Sequence, residues 1–178
     1  SCSGTYRNEW RYSYTITGSG SYLYNHYGYT MYRNTLTSSG SNLCPTSVKS
    51  YNDRSISYGY GMTAHPTNPN ELYFMSRGRN AIYKITVNSA GNGHTVNWQK
   101  GRYGYGKQST ATQSFFYYPW GIHYDDDNDR LIVSGYNQKK IQVFDSDGVF
   151  IKDKGGVAAT TRMAAAHAAI KAIVTDSN

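Results

Sequence analysis

The run Asp125-Asp126-Asp127-Asn128-Asp129 offers side-chain oxygens at alternate positions, as the first half of a calcium loop does. An EF-hand would continue with Gly at 130 and Glu at 136, but the chain has Arg130 and Tyr136. The run therefore reads first as a solvated hairpin turn, with Asp125, Asp127 and Asp129 kept as candidate calcium ligands; no other cofactor is expected. Asp145-Ser146-Asp147-Gly148 is a turn by composition. The histidines His26, His65, His94, His123 and His167 share no spacing that would hold zinc. No G-x-S-x-G elbow exists to activate a serine, and Gly104-Tyr105-Gly106-Lys107 lacks the spacing of a phosphate loop. These absences point away from an enzyme and toward a binding protein.

The chain is rich in rings, with 19 Tyr, 5 Phe and 3 Trp among 178 residues. Tyr and Trp stack on sugars and bases while their polar edges hydrogen-bond, so the surplus is the main functional signal. Much of it must form the core. Tyr103, Tyr105, Tyr117, Tyr118 and Trp120, beside Arg102 and Lys107, are the candidate binding residues. The net charge of +7 at pH 7 favours anionic partners, yet the cations are scattered and mark no groove that would track phosphates. Nucleic acid is thus the weakest of three partner classes, behind other protein subunits and surface glycans, and would betray itself by a steep salt dependence.

Positioning these residues falls to strands. Abundant Gly, Ser, Thr, Asn and Tyr suit pleated sheets and tight turns. Trp10, Tyr12, Tyr14 and Ile16 alternate with polar residues and predict a half-buried strand. Tyr22, Tyr24, Tyr27 and Tyr29 predict a hairpin, with a bulge or turn between the pairs. The middle of the chain repeats itself. Tyr60-Gly61-Met62, Leu72-Tyr73-Phe74-Met75 and Ile82-Tyr83-Lys84-Ile85 align with Trp120-Gly121-Ile122, Leu131-Ile132-Val133 and Ile141-Gln142-Val143-Phe144. Fourth strands are expected near 95–99 and 149–152. Each copy then makes a four-stranded antiparallel blade of the propeller type. The cysteines, Cys2 and Cys44, have no metal-binding spacing and are read as a disulfide, worth about 4 kcal/mol by loop closure, with two free thiols as the alternative. A disulfide implies an extracellular or cell-surface location, with any secretion signal removed or upstream. No stretch approaches the roughly 20 apolar residues of a membrane span.

Phe116-Tyr117-Tyr118-Pro119-Trp120-Gly121-Ile122, with Arg130-Leu131-Ile132-Val133, Asn137 and Ile141-Gln142-Val143-Phe144, resembles the NHL repeat of β-propellers. The resemblance covers about half the chain and implies a fold that presents one face to protein, glycan or RNA. The Ala-rich segment 158–174 places Met163, Ala166, Ile170, Ile173 and Val174 on one face of a helix, capped by Thr160 or Thr161. Its Thr161-Arg162-Met163 start and Ile173-Val174 end resemble the first helix of a von Willebrand factor A domain, as in type IV pilus tip-associated adhesins. The Asp-x-Ser-x-Ser loop of that domain is absent, so no metal site is carried over.

The expectation is a mainly β chain of antiparallel, NHL-like propeller blades with one C-terminal α-helix. A Tyr-rich region spans 1–58, two repeats span 59–156, and an amphipathic helix, the start of a further domain, spans 157–178. The expected function is a non-catalytic extracellular adhesion or assembly module, pilus- or cell-surface-associated, binding protein or glycan as part of a homo- or hetero-oligomer or larger protein. The alternative is a structural subunit of an extracellular filament.

Overall fold

A computed structural model describes residues 13–39, 42–104 and 108–155. The expected helix at 157–178 and Cys2 lie outside them. Three four-stranded antiparallel meanders follow one another. Blade 1 holds β1 (Ser13–Ile16), β2 (Tyr22–Tyr27), β3 (Thr30–Ser39) and β4 (Asn42–Asn52). Blade 2 holds β5 (Gly59–Ala64), β6 (Glu71–Ser76), β7 (Ala81–Val87) and β8 (His94–Lys100). A short parallel pair, β9 (Arg102–Tyr103) with β10 (Phe115–Phe116), pins the connection to blade 3. Blade 3 holds β11 (Pro119–Asp125), β12 (Arg130–Gly135), β13 (Lys140–Asp145) and β14 (Phe150–Gly155). A single 3-10 turn, Arg54–Ile56, joins blades 1 and 2, with Asp53 accepting from the Ser55 amide at 2.7 Å.

The blades stack face to face, which explains their residue patterns. Blade 2 is covered on both sides, so β6 reads as a continuous apolar run instead of alternating. Leu72 and Phe74 point toward blade 1, where they meet Tyr24, Met31 and Ile56. Tyr73 and Met75 point the other way and meet Tyr124, Leu131, Val133 and Phe144 of blade 3. Each such fully buried side chain stabilises the stack by about 2 kcal/mol.

The first strands of the blades, β1, β5 and β11, lie beside one another at the inner edge of the arc. Close approach there requires glycine. A Cβ on Gly61 would sit 3.1 Å from the Ile122 amide nitrogen, and one on Gly18 would sit 2.3 Å from the Pro66 carbonyl oxygen.

Blade 1 departs from the expected phase. Tyr14 and Ile16 are 65% and 49% exposed, whereas Ser13 and Thr17 are buried. The side of β1 turned toward β5 takes small polar residues because the strands lie close: the Ala64 amide donates to Thr15 Oγ1 at 3.2 Å. The tyrosine hairpin forms as β2 and β3, turning at Gly28 and Tyr29, and no bulge interrupts β2.

Candidate ligand-binding face

One end of the blades carries the start of each inner strand and the β2–β3, β6–β7 and β12–β13 turns. Here the repeat produces the same irregular backbone twice. β5 bulges between Gly59 and Gly61, and β11 bulges between Pro119 and Gly121. The extra residues are Tyr60 and Trp120, and their rings meet with centroids 5.0 Å apart. A bulge re-aims a side chain in this way and recurs beside functional sites.

The residues two positions earlier, Tyr58 and Tyr118, both have φ of +50°. That left-handed conformation costs a residue with a Cβ about 1–2 kcal/mol. Hydrogen bonds hold it in both copies: the Arg77 amide donates to the Tyr58 carbonyl at 3.0 Å, and the Tyr136 amide donates to the Tyr118 carbonyl at 3.0 Å. The Tyr118 amide in turn donates to Asn80 Oδ1 at 3.0 Å, tying blade 3 to the β6–β7 turn of blade 2.

The outcome is a chain of rings across the end of blades 2 and 3. Tyr103 meets Tyr117 edge-on at 5.2 Å, and Tyr117 stacks on Tyr118 at 4.8 Å. The Arg77 guanidinium lies 4.5 Å from the Tyr118 ring centre and 4.9 Å from that of Tyr60, and also donates to the Tyr60 hydroxyl at 2.9 Å. Trp120 continues to Tyr136 at 5.3 Å. Tyr29 and Tyr58 form a further pair at 5.4 Å. Tyr103, Trp120, Tyr136 and Tyr58 are 62%, 47%, 46% and 46% exposed. Several adjacent large rings this exposed mark an interaction site better than scattered ones do.

Of the residues expected from sequence, Tyr103, Tyr117, Tyr118 and Trp120 come together on this face. Arg102 precedes Tyr103 on β9, but its guanidinium lies 4.7 Å from the Phe115 ring centre and donates to Gln113 Oε1 at 2.8 Å instead of meeting the rings. Tyr105 and Lys107 lie outside the described residues. Tyr58, Tyr60, Arg77 and Tyr136 were not expected. The repeat held the signal for two of them, since aligning the copies places Tyr58 on Tyr118 and Tyr60 on Trp120.

The candidate calcium run turns its carboxylates to separate partners. Asp125 pairs with Arg130 at 3.0 Å, while Asp129 accepts from the Tyr124 hydroxyl and from Ser146. Those hydrogen bonds hold the Asp129 carboxyl below its ordinary range. Among the described residues, no group of three or more His, Cys, Asp or Glu side chains converges as a metal site. Near this run, an open cleft of about 190 Å³ is lined by Thr15, Thr63, Tyr124 and Asp126 among others. Cys44 is buried and is not a free thiol; its pairing with Cys2 stays a proposal. No described helix is long and apolar enough to cross a membrane.

No protein-family model and no curated protein matches the sequence. Solved structures do. The Cps50 (Swd1) β-propeller domain of Myceliophteria thermophila superposes with a TM-score of 0.54 at 12% identity, covering 82% of this chain and 44% of that one. The fold is a β-propeller. Similar likeness extends to Kuenenia stuttgartiensis hydrazine synthase (TM-score 0.52, 12% identity, 80% of this chain and 34% of that one). A putative 6-phosphogluconolactonase from Bacteroides fragilis gives a TM-score of 0.52 at 15% identity, covering 79% of this chain and 37% of that one. The chain therefore spans less than half the length of each of these structures, and its described residues make three propeller-type blades.

Proposed function

We propose that these propeller-type blades are a non-catalytic binding module whose aromatic end captures a glycan. One observation carries the reading: two equivalent bulges and two equivalent left-handed tyrosines are maintained, at a cost in backbone energy, where they project rings outward. Strain of this kind clusters at ligand sites because the surrounding fold must over-determine it. Flat rings held in place stack on sugar faces with little loss of side-chain entropy, and Arg77, lying against Tyr60 and Tyr118, adds donors for hydroxyl or carboxylate groups.

The blades are read as NHL-type, and the module as extracellular, in an adhesion or assembly role at a pilus or cell surface. Support for that setting comes from the buried Cys44, proposed to pair with Cys2, and from the resemblance of 161–174 to a von Willebrand factor A helix. The filament-subunit reading is favoured instead by apolar residues exposed away from the aromatic end, Ile16, Val149 and Ile151.

The test is a titration of the full chain with neutral and acidic oligosaccharides, read by tryptophan fluorescence. Saturable quenching supports the glycan reading. Hydrolysis of a sugar lactone under the same conditions would replace it with an enzymatic one, as the name of the Bacteroides neighbour suggests. Binding to neither, with concentration-dependent polymers in light scattering, would favour the filament.

A further inference from the structure

Charge is divided between the two ends of blades 2 and 3, and the division follows the strand order. The β5–β6, β11–β12 and β13–β14 turns lie at one end, with Glu71, the carboxylates of the 125–129 run, Asp145 and Asp147 in or beside them. Lys84 and Arg130 pair with Glu71 and Asp125 at 3.0 Å each, and the remaining carboxylates leave that end acidic. The aromatic end carries Arg77 and Arg79 in the β6–β7 turn, Arg54 in the 3-10 turn and Lys139 in the β12–β13 turn. The carboxylates on this side are engaged: Asp53 accepts from the Ser55 amide and lies 3.5 Å from His94 Nε2, and Asp153 pairs with Lys140 at 2.9 Å. A strand of the length of β12 holds the two ends about 20 Å apart, more than the screening length of about 8 Å at physiological salt. The distant carboxylates therefore do not cancel the cations.

Within the cationic end one guanidinium stands among the rings. Arg77 lies against the rings of Tyr118 and Tyr60 and gives one donor, Nη1, to the Tyr60 hydroxyl. Among the described residues no carboxylate pairs with it. Rings against the faces of a guanidinium leave its N–H groups in the plane, as the rigid fork that matches a planar carboxylate. We propose that the glycan assigned to this face is acidic, a uronic-acid oligosaccharide whose sugar ring packs on Trp120 and whose carboxylate takes the Arg77 fork; this rests on the glycan reading and narrows it to one class of sugar. A single fork amid rings suits one planar carboxylate. A nucleic-acid strand would instead call for cations repeated along its phosphates. The other cations stand in separate turns, and Arg79 is turned onto the Arg54 carbonyl at 3.1 Å. They raise the local potential and speed the approach of a polyanion without deciding its identity.

The test is calorimetry of the full chain with tetragalacturonate, with the methyl ester of the same tetrasaccharide and with cellotetraose. The ester keeps the sugar's shape and removes its charge. Tetragalacturonate is expected to bind about tenfold or more tightly than its ester, because hydrogen bonds to a charged partner are the strong ones. That preference is expected to shrink at least severalfold in Arg77→Gln, and also in Arg77→Lys, which restores the charge without the fork. Equal affinity for the acid and the ester, or binding of cellotetraose alone, would overturn the acidic assignment while leaving the glycan reading in place. Binding of none of the three would remove both. An oligothymidylate that binds more tightly than tetragalacturonate, with an affinity that falls steeply with salt, would overturn the proposal by giving the face to a nucleic acid. Should the Arg77 variants lose the near-UV circular dichroism of the parent, the comparison of acid with ester decides alone, since it needs no variant.

Discussion

Replacing Tyr118 by glycine and by alanine should reverse the usual order of stability. Glycine in a strand is normally less stable than alanine by about 0.5–1 kcal/mol, because the unfolded chain gains freedom. At φ of +50° the alanine Cβ retains a clash that costs about 1–2 kcal/mol, and glycine does not have it. Both variants lose the same ring. Its stack on Tyr117 is worth about 0.5–1.5 kcal/mol and its contact with Arg77 about 0.5–1 kcal/mol. Tyr118→Ala should therefore destabilise the protein by about 1–2.5 kcal/mol, and Tyr118→Gly should be more stable than Tyr118→Ala by roughly 0.5–1 kcal/mol. Urea unfolding of both variants measures the difference directly. The adjacent Tyr117, which is not among the residues at positive φ, serves as control, and there alanine should be the more stable. If alanine is also the more stable at 118, the left-handed backbone is not imposed by the fold and the argument from strain fails.

Burial between blades 1 and 2 pushes His26 down to about 4, helped by His94 and opposed by a backbone contact with Ile56. The unfolded chain binds this proton near pH 6.5 and the folded chain only near pH 4, so the stability it governs is intact above 6.5 and declines by about 3 kcal/mol toward pH 4. Urea midpoints at pH 7.5, 5.5 and 4.0 should show that decline, and His26→Leu should remove it; an unchanged slope in the variant would count against the assignment. Gly59→Ala should lower stability by about 1–3 kcal/mol, since its Cβ would lie 2.1 Å from the fully buried Phe74 ring; a thermal melt within a degree of the parent would refute this packing. Intact mass without reductant should fall short of the reduced mass by the two hydrogens of a Cys2–Cys44 disulfide, and alkylation of either thiol in the unreduced protein would contradict it.

Strand positions in blades 2 and 3 were legible because a repeat constrains them twice, and because sandwiched strands such as Leu72-Tyr73-Phe74-Met75 leave an unbroken apolar run. Blade 1 has no second copy to align with, and its pattern misled. Tyr14 and Ile16 look like an inward face, yet the inner strands approach so closely that Thr15 fits against β5 and the larger side chains turn outward. At the aromatic end, Tyr103, Tyr117, Tyr118 and Trp120 were visible as a local cluster of rings. Arg77 and Tyr136 were not, since they arrive from turns 41 residues before Tyr118 and 18 after it, and only the folded register sets them beside it. The left-handed tyrosines could not be read at all: sequence signals positive φ through Gly or Asn, and Tyr58 and Tyr118 adopt it against their own preference.

The most direct test of the binding face is the affinity of Trp120→Ala for whichever oligosaccharide quenches the parent protein, measured by calorimetry beside a urea unfolding curve. Trp120 is nearly half exposed but packs on Tyr60 and Tyr136, so its removal should lower stability by only about 1–2 kcal/mol, leaving the protein folded, while weakening binding at least tenfold. Full affinity in a folded Trp120→Ala protein would contradict the account and move the ligand to another part of the propeller.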